Sequence, residues 1–201
     1  MSIIPSLPRK GAWMQTYLNI QFWPCDPRPD EVSIIDIAHS LSNQCRYAGH
    51  CSRFYSVAEH SVLVFKIARD VLGVTELPML LAAFLHDSTE AYLVDLPRPV
   101  KHSLPGYKVL EEQLARCIEY KYGLPMGAFE DPVVKRADNI ALMTEASLLL
   151  GPPPAPWEET EKPLPGCGLG CWAPEVAERE FLRQFNDIYC EMPNQHDRSS
   201  N

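Results

Sequence analysis

From Ser33 onward, apolar residues recur at three- and four-residue spacing, and this period predicts a chain built of helices. Ile34, Ile37, Ala38 and Leu41 share one face of a first helix that ends near Gln44. Ser56-Val57-Ala58-Glu59 fits a capping box, in which hydroxyl and carboxylate close each other's orphan amides, and the helix it opens stops at Gly73. A third helix has Pro78 in its first turn and runs to about Asp87. Pro97 and Pro99 predict an extended loop, followed by a fourth helix over Tyr107 to Tyr122. A fifth has Asp131 as N-cap and Pro132 at its first position, and reaches Leu150. A last amphipathic helix spans Pro174 to about Glu191, before a polar, frayed tail after Met192. Prolines break the first thirty-two residues, where the alternation of Tyr17, Asn19 and Gln21 against Leu18, Ile20 and Phe22 predicts one short strand or a hairpin. Residues 151–172, rich in Pro and Gly, read as a long loop that serves as a lid or an oligomer contact. Strands do not alternate with helices, so a parallel-sheet fold is disfavoured. The expected fold class is all-α, with a small β element near the N-terminus.

Composition narrows the picture. A chain of 201 residues suits one domain, here 1–201 with its core at about 33–150, and a 46% hydrophobic fraction excludes wholesale disorder. The formal net charge of −8 argues against a nucleic-acid polymer as partner but leaves room for a small phosphorylated substrate held by a few local cations. No apolar run is long enough to span a bilayer, and Met1 to Pro5 lacks the pattern of a secretory leader. Seven cysteines, an odd number without framework spacing, read as reduced thiols in a cytoplasmic protein, or one in the host cytoplasm if phage-encoded.

The candidate chemistry lies at His60, the pair His86-Asp87, and Asp138. Each is a good ligand for a hard or borderline divalent metal, and each stands among apolar residues. Asp138, beside Ala137, Ala141 and Met143, is costly to bury unless paired or metal-bound. Taken singly, a His on an apolar helix face is more often a hydrogen-bonded core residue than a ligand. Glu90, four residues after His86, faces the same cavity if the helix continues, and otherwise reads as a solvated acid. Cys167 and Cys171 have three residues between them, not the two typical of zinc knuckles. His39, His50 and His102 read as structural or exposed.

The order His, His-Asp, Asp on successive helices resembles the HD-domain metal-dependent phosphohydrolases. Ser56-Val-Ala-Glu-His-Ser61, His86-Asp-Ser-Thr-Glu-Ala-Tyr-Leu-Val-Asp-Leu-Pro-Arg-Pro-Val-Lys101 and Val134-Lys-Arg-Ala-Asp138 are similar to motifs of the branch containing bacterial 5′-deoxynucleotidases. The phage dATP triphosphohydrolases share this frame. The resemblance implies an HD-domain helical bundle around a metal site, with His60, His86, Asp87 and Asp138 as ligands for a divalent metal (Zn, Co, Mn or Mg), one ion or more. It implies that Glu90 acts near the attacking water and that Asp95 holds that water or a second metal. Arg46, Lys101 and Lys135 would meet the phosphates, and the segment from Ile34 to Leu41 with Cys45-Arg46-Tyr47 would line the nucleoside pocket. The implied reaction cleaves the 5′ phosphate ester of a deoxynucleotide, with dATP giving deoxyadenosine and triphosphate. The alternatives are a 5′-deoxynucleotidase acting on several dNMPs, a non-catalytic nucleotide-sensing HD module, and hydrolysis of a signalling nucleotide such as guanosine tetraphosphate. Relatives form dimers or larger rings, so a homo-oligomer, dimer or hexamer, is expected.

Overall fold

The computed structural model describes residues 8–159 and 161–192. The Met1–Pro5 segment and the polar tail after Met192, both read from sequence above, lie outside them. The chain is mostly helical, with a small antiparallel sheet near the N-terminus. Strand β1 (Met14–Gln15) pairs with β2 (Gln21–Phe22) as a hairpin, with Met14 opposite Phe22. It is shorter than the alternation suggests, because Tyr17 and Leu18 belong to its exposed turn. Phe22 is buried and stacks on Tyr92, which ties the hairpin to the helical core.

The helices are α1 (Ile34–Asn43), α2 (Val57–Lys66), α3 (Leu77–Leu85), α4 (Glu90–Leu93), α5 (Arg98–His102), α6 (Pro105–Lys121), α7 (Pro132–Leu149) and α8 (Pro174–Tyr189). Their starts follow local chemistry. The Ser33 hydroxyl accepts from the Ile35 amide, Ser56 from Glu59, and Asp131 from Val133, each closing an orphan donor of a first turn. Helix α2 lies at the centre, packed by α1, α3, α7 and α8, and every residue from Val57 to Val62 is buried. A helix buried on all sides holds the side chains it carries rigidly. It passes into a π-helical turn, Ile67–Val71, before Gly73 turns the chain at a φ of 70°.

Two local expectations are corrected. The segment at Pro97 and Pro99 is not extended: Arg98–His102 forms a helical turn with Pro97 at its N-cap. Proline is acceptable there because first-turn amides have no intrahelical acceptor. The capping box also closes on one side only. Ser56 caps as expected, but the Glu59 carboxylate accepts from the Cys171 and Trp172 amides, at 2.9 and 2.8 Å, and fastens the end of the 151–172 loop to α2. That loop has no regular secondary structure among its described residues; the Leu164 amide donates to Thr144 Oγ1 and Arg136 pairs with Glu161. Replacing the buried Glu59 by Ala strands two amides. The expected result is a stability loss of about 1–3 kcal/mol, with faster proteolytic nicking within 151–172 than in the parent protein.

Candidate metal centre

Three elements meet at the site. The core helix α2 presents His60 in its first turn, the end of α3 presents His86 and Asp87, and α7 presents Asp138. Helix α3 stops at Leu85, and the Ser88 and Glu90 amides bond back three residues, to Leu85 and Asp87. In an unbroken helix, neighbouring side chains point about 100° apart. His86 and Asp87 nonetheless reach across that divergence into one cavity, with His86 Nε2 3.3 Å from Asp87 Oδ1. His60 Nε2 lies 3.3 Å from His86 Nε2, 3.3 Å from Asp87 Oδ2 and 3.2 Å from Asp138 Oδ1.

His60, His86 and Asp138 form a group that could hold a metal ion. The hydrogen bonds behind the two rings fit that use. His60 is fully buried, and its Nδ1 lies 2.6 Å from Glu145 Oε1. His86 Nδ1 lies 2.9 Å from the Ala83 carbonyl. Both acceptors hold a proton on Nδ1, so each Nε2 is the ring atom that faces the partner ring and the two aspartates. The electrostatics point the same way. Burial alone would raise the aspartates, yet His86 and His60 hold Asp87 well below the usual carboxylate range, and the same two rings do so for Asp138. Burial and Arg46 would lower His60, but Glu145, Asp138 and Asp87 raise it well above an ordinary histidine. Two carboxylates at the mouth of two inward-facing imidazoles therefore draw positive charge into the space between them, which a divalent cation could supply.

Glu145 is the principal residue that sequence reading missed. It is fully buried and takes four donors: His60 Nδ1–H, the Tyr55 hydroxyl at 3.1 Å, the Tyr47 hydroxyl at 3.2 Å and Arg46 Nε at 3.1 Å. Despite burial, His60 and Arg46 hold its carboxyl below the usual range. The available signal was its place two turns after Asp138 on the same helix face, an acid in an otherwise apolar stretch. Arg46 itself lies buried at the site, with Nη1 3.4 Å from Asp87 Oδ2, so it braces two carboxylates rather than standing free.

The expected catalytic acids are close by. Glu90 opens α4 and is buried; its Oε1 accepts from Lys101 Nζ at 3.0 Å, while Oε2 has no hydrogen-bond partner. Burial, with Asp87 and Asp95 nearby, pushes the Glu90 carboxyl well above its ordinary value. Burial also raises Asp95, against the pull of Arg46. Gln44 links the two acids by donating to the Glu90 carbonyl and accepting from the Asp95 amide, both at 3.0 Å. Between them Val94 adopts φ 66° and ψ 149°, a region otherwise reserved for glycine, and Tyr107 donates to its carbonyl. The Val94 side chain is 51% exposed, so little packing is lost on its removal. Val94→Gly is therefore expected to raise Tm by about 2–4 °C, the gain from relieving roughly 1 kcal/mol of strain net of glycine's added chain entropy; thermal unfolding checks it.

The predicted cations separate. Lys101 bridges Glu90 and Glu111, which, against the effect of burial, raises its ammonium above the ordinary lysine value. Lys135 is half-exposed and pairs with Glu130 at 2.9 Å, outside the cluster. Arg98, not singled out from sequence as a site residue, reaches within 3.9 Å of Asp138 Oδ2 from an exposed position. A hollow of about 490 Å³ opens beside Glu90, bordered by His39, Ser40 and Gln44 of the α1 segment and by Val94.

No protein-family model matches the chain. It is 42% identical over 134 residues to YfdR of Escherichia coli (strain K12), described as an uncharacterized protein, across 67% of this chain and 70% of that one. The chain belongs to the YfdR family. A second relative, RCAP_rcc00048 of Rhodobacter capsulatus, also described as uncharacterized, is 36% identical over 149 residues, covering 71% of this chain and 75% of its own. Among the described residues of this YfdR-family chain, no helix is long and apolar enough to cross a membrane.

Proposed function

We propose that this chain is an HD-domain metal-dependent phosphohydrolase that cleaves the 5′ phosphate ester of deoxynucleotides, dATP giving deoxyadenosine and triphosphate. The observation that carries the reading is the convergence of His60, His86, Asp87 and Asp138, with the acids Glu90 and Asp95 within reach of the same charges. A divalent metal held there would polarise a phosphoryl oxygen and make bound water more acidic. The protein's own groups divide the remaining work. Glu145 orients His60, and Arg46 steadies Asp87 and Glu145 together. Glu90 Oε2, buried and unpartnered, is the atom that would hold or accept a proton from water, while Lys101 fixes the other oxygen. Arg98, exposed at the rim, has the planar fork that pairs with a phosphate in two parallel hydrogen bonds. The nucleoside would lie in the hollow beside Glu90, along the α1 segment.

A second reading is a 5′-deoxynucleotidase on several dNMPs. It is favoured by Lys135, whose pairing with Glu130 leaves Arg98 as the exposed cation at the ligand cluster, enough for one phosphate.

Product analysis tests both readings. Protein loaded with Mn, Co, Mg or Zn is offered each dNTP, dNMP and NTP, and guanosine tetraphosphate. Deoxyadenosine and triphosphate released mainly from dATP support the first reading, and inorganic phosphate from several dNMPs supports the second. Binding of deoxynucleotides without turnover, or turnover of guanosine tetraphosphate alone, overturns both.

A further inference from the structure

The loop that presents Arg46 begins and ends at cysteine. Cys45 and Cys51 are both free thiols, partly buried, and their Sγ atoms lie 3.4 Å apart. The backbone makes this meeting. Tyr47, Ala48 and Gly49 follow one another at φ values of 56°, 50° and 80°, reversing the chain within a few residues. The ends are anchored: Cys45 pairs with Ser56 in an antiparallel bridge, and the Ser52 amide donates to the Leu149 carbonyl at 2.8 Å. The two sulfurs are thus held face to face by the fold, outside the ligand cluster and with no role in it.

We propose that Cys45 and Cys51 are a modification site, a dithiol that oxidises to a disulfide closing the Arg46 loop. With hydrogen peroxide as oxidant, the two thiols give up two protons and two electrons, one S–S bond forms, the O–O bond breaks and two waters leave. With oxidised glutathione, two exchange steps give the same bond and release two reduced glutathiones. The sulfurs must close from 3.4 Å to about 2 Å, well within the flexibility of two side chains. The bond replaces the weak Cys51 S–H contact to the Arg46 carbonyl, at 3.7 Å. Burial and the Cys45 contact raise the Cys51 thiol, so pairing at neutral pH is slow and answers sustained rather than brief oxidation. Because Cys45 adjoins Arg46, the bond pulls on the residue that braces Asp87 and Glu145. The proposal concerns the thiols alone and stands whether or not the chain hydrolyses phosphate esters.

The test uses the full, reduced chain treated with hydrogen peroxide or oxidised glutathione, then blocked with N-ethylmaleimide and digested with trypsin. Cleavage after Arg46 separates the cysteines: Cys45 falls in the 11–46 peptide with Cys25, because the Arg28-Pro29 bond resists trypsin, and Cys51 falls in 47–53. The expected product is these two peptides joined, with fragmentation placing the bond at Cys45. Dithiothreitol should part them, and neither Cys45→Ser nor Cys51→Ser should yield them. Recovery of both cysteines as maleimide adducts after oxidation overturns the proposal. So does a bond that joins Cys51 to Cys25.

Discussion

Asp138→Ala is expected to lose metal and the release of deoxynucleoside together. Asp138 Oδ1 is 3.2 Å from His60 Nε2 and 3.8 Å from His86 Nε2, so its removal takes one carboxylate from the middle of the donor set. The two rings then face each other with only Asp87 to balance a divalent charge. A metal supplies several kcal/mol of transition-state stabilisation in phosphoryl chemistry, so the expected fall in kcat/KM is roughly a hundred- to a thousandfold. The side chain is small and partly exposed, and Ala suits the interior of α7, so the variant should stay folded. Metal content by elemental analysis beside product release checks the result. Unchanged turnover in a variant that no longer binds metal would separate the cluster from the chemistry.

Glu145→Ala carries the second large effect, and its main readout is stability. The substitution removes the acceptor of four buried donors and leaves the Arg46 guanidinium with Asp87 as its one remaining close carboxylate partner. Breaking a buried pair from one side costs about 3–5 kcal/mol. At about 2–4 °C per kcal/mol for a chain of this size, Tm is expected to fall by roughly 6–20 °C. Glu145→Gln keeps the shape and one acceptor oxygen, so it should fall less while still weakening metal affinity about ten- to a hundredfold, because His60 loses its charged acceptor. The pH dependence has a definite sign. Glu145 is held below the ordinary carboxylate value, so its contribution is full above that value and is lost as pH falls through the lowered native one. The parent protein should therefore lose Tm on acidification more steeply than Glu145→Gln.

Much of the fold was legible because its helices announce their ends. Ser56 and Asp131 act as caps where the sequence puts them, and Pro78 and Pro132 sit in first turns. What escaped depended on contacts between distant segments. Glu59 looked committed to its own helix, but residues 171 and 172 bring unsatisfied amides to it across the fold. Proline at 97 and 99 spoke for an extended chain, yet the same residues suit the opening turn of α5. At the site, the candidate ligand positions were readable as polar residues in apolar surroundings; Glu145 carried the same signal but was passed over, since a lone acid in a helix is usually solvated. Glu90 was read as facing the His86 cavity only if that helix continued; α3 ends at Leu85, and Glu90 reaches the site as the first residue of α4. The Lys135 position shows the limit of spacing arguments. One turn before Asp138 it could have faced the cluster, but the nearer acid Glu130 takes its ammonium at the surface.

Equilibrium metal content of the purified chain tests the central claim most directly. After chelation and dialysis against micromolar Mn, Co or Zn, the protein should retain about one ion per chain or more, with His86→Ala and Asp138→Ala retaining none. Failure of the parent chain to retain any of these ions, or retention undiminished in both variants, would contradict a metal centre at His60, His86, Asp87 and Asp138.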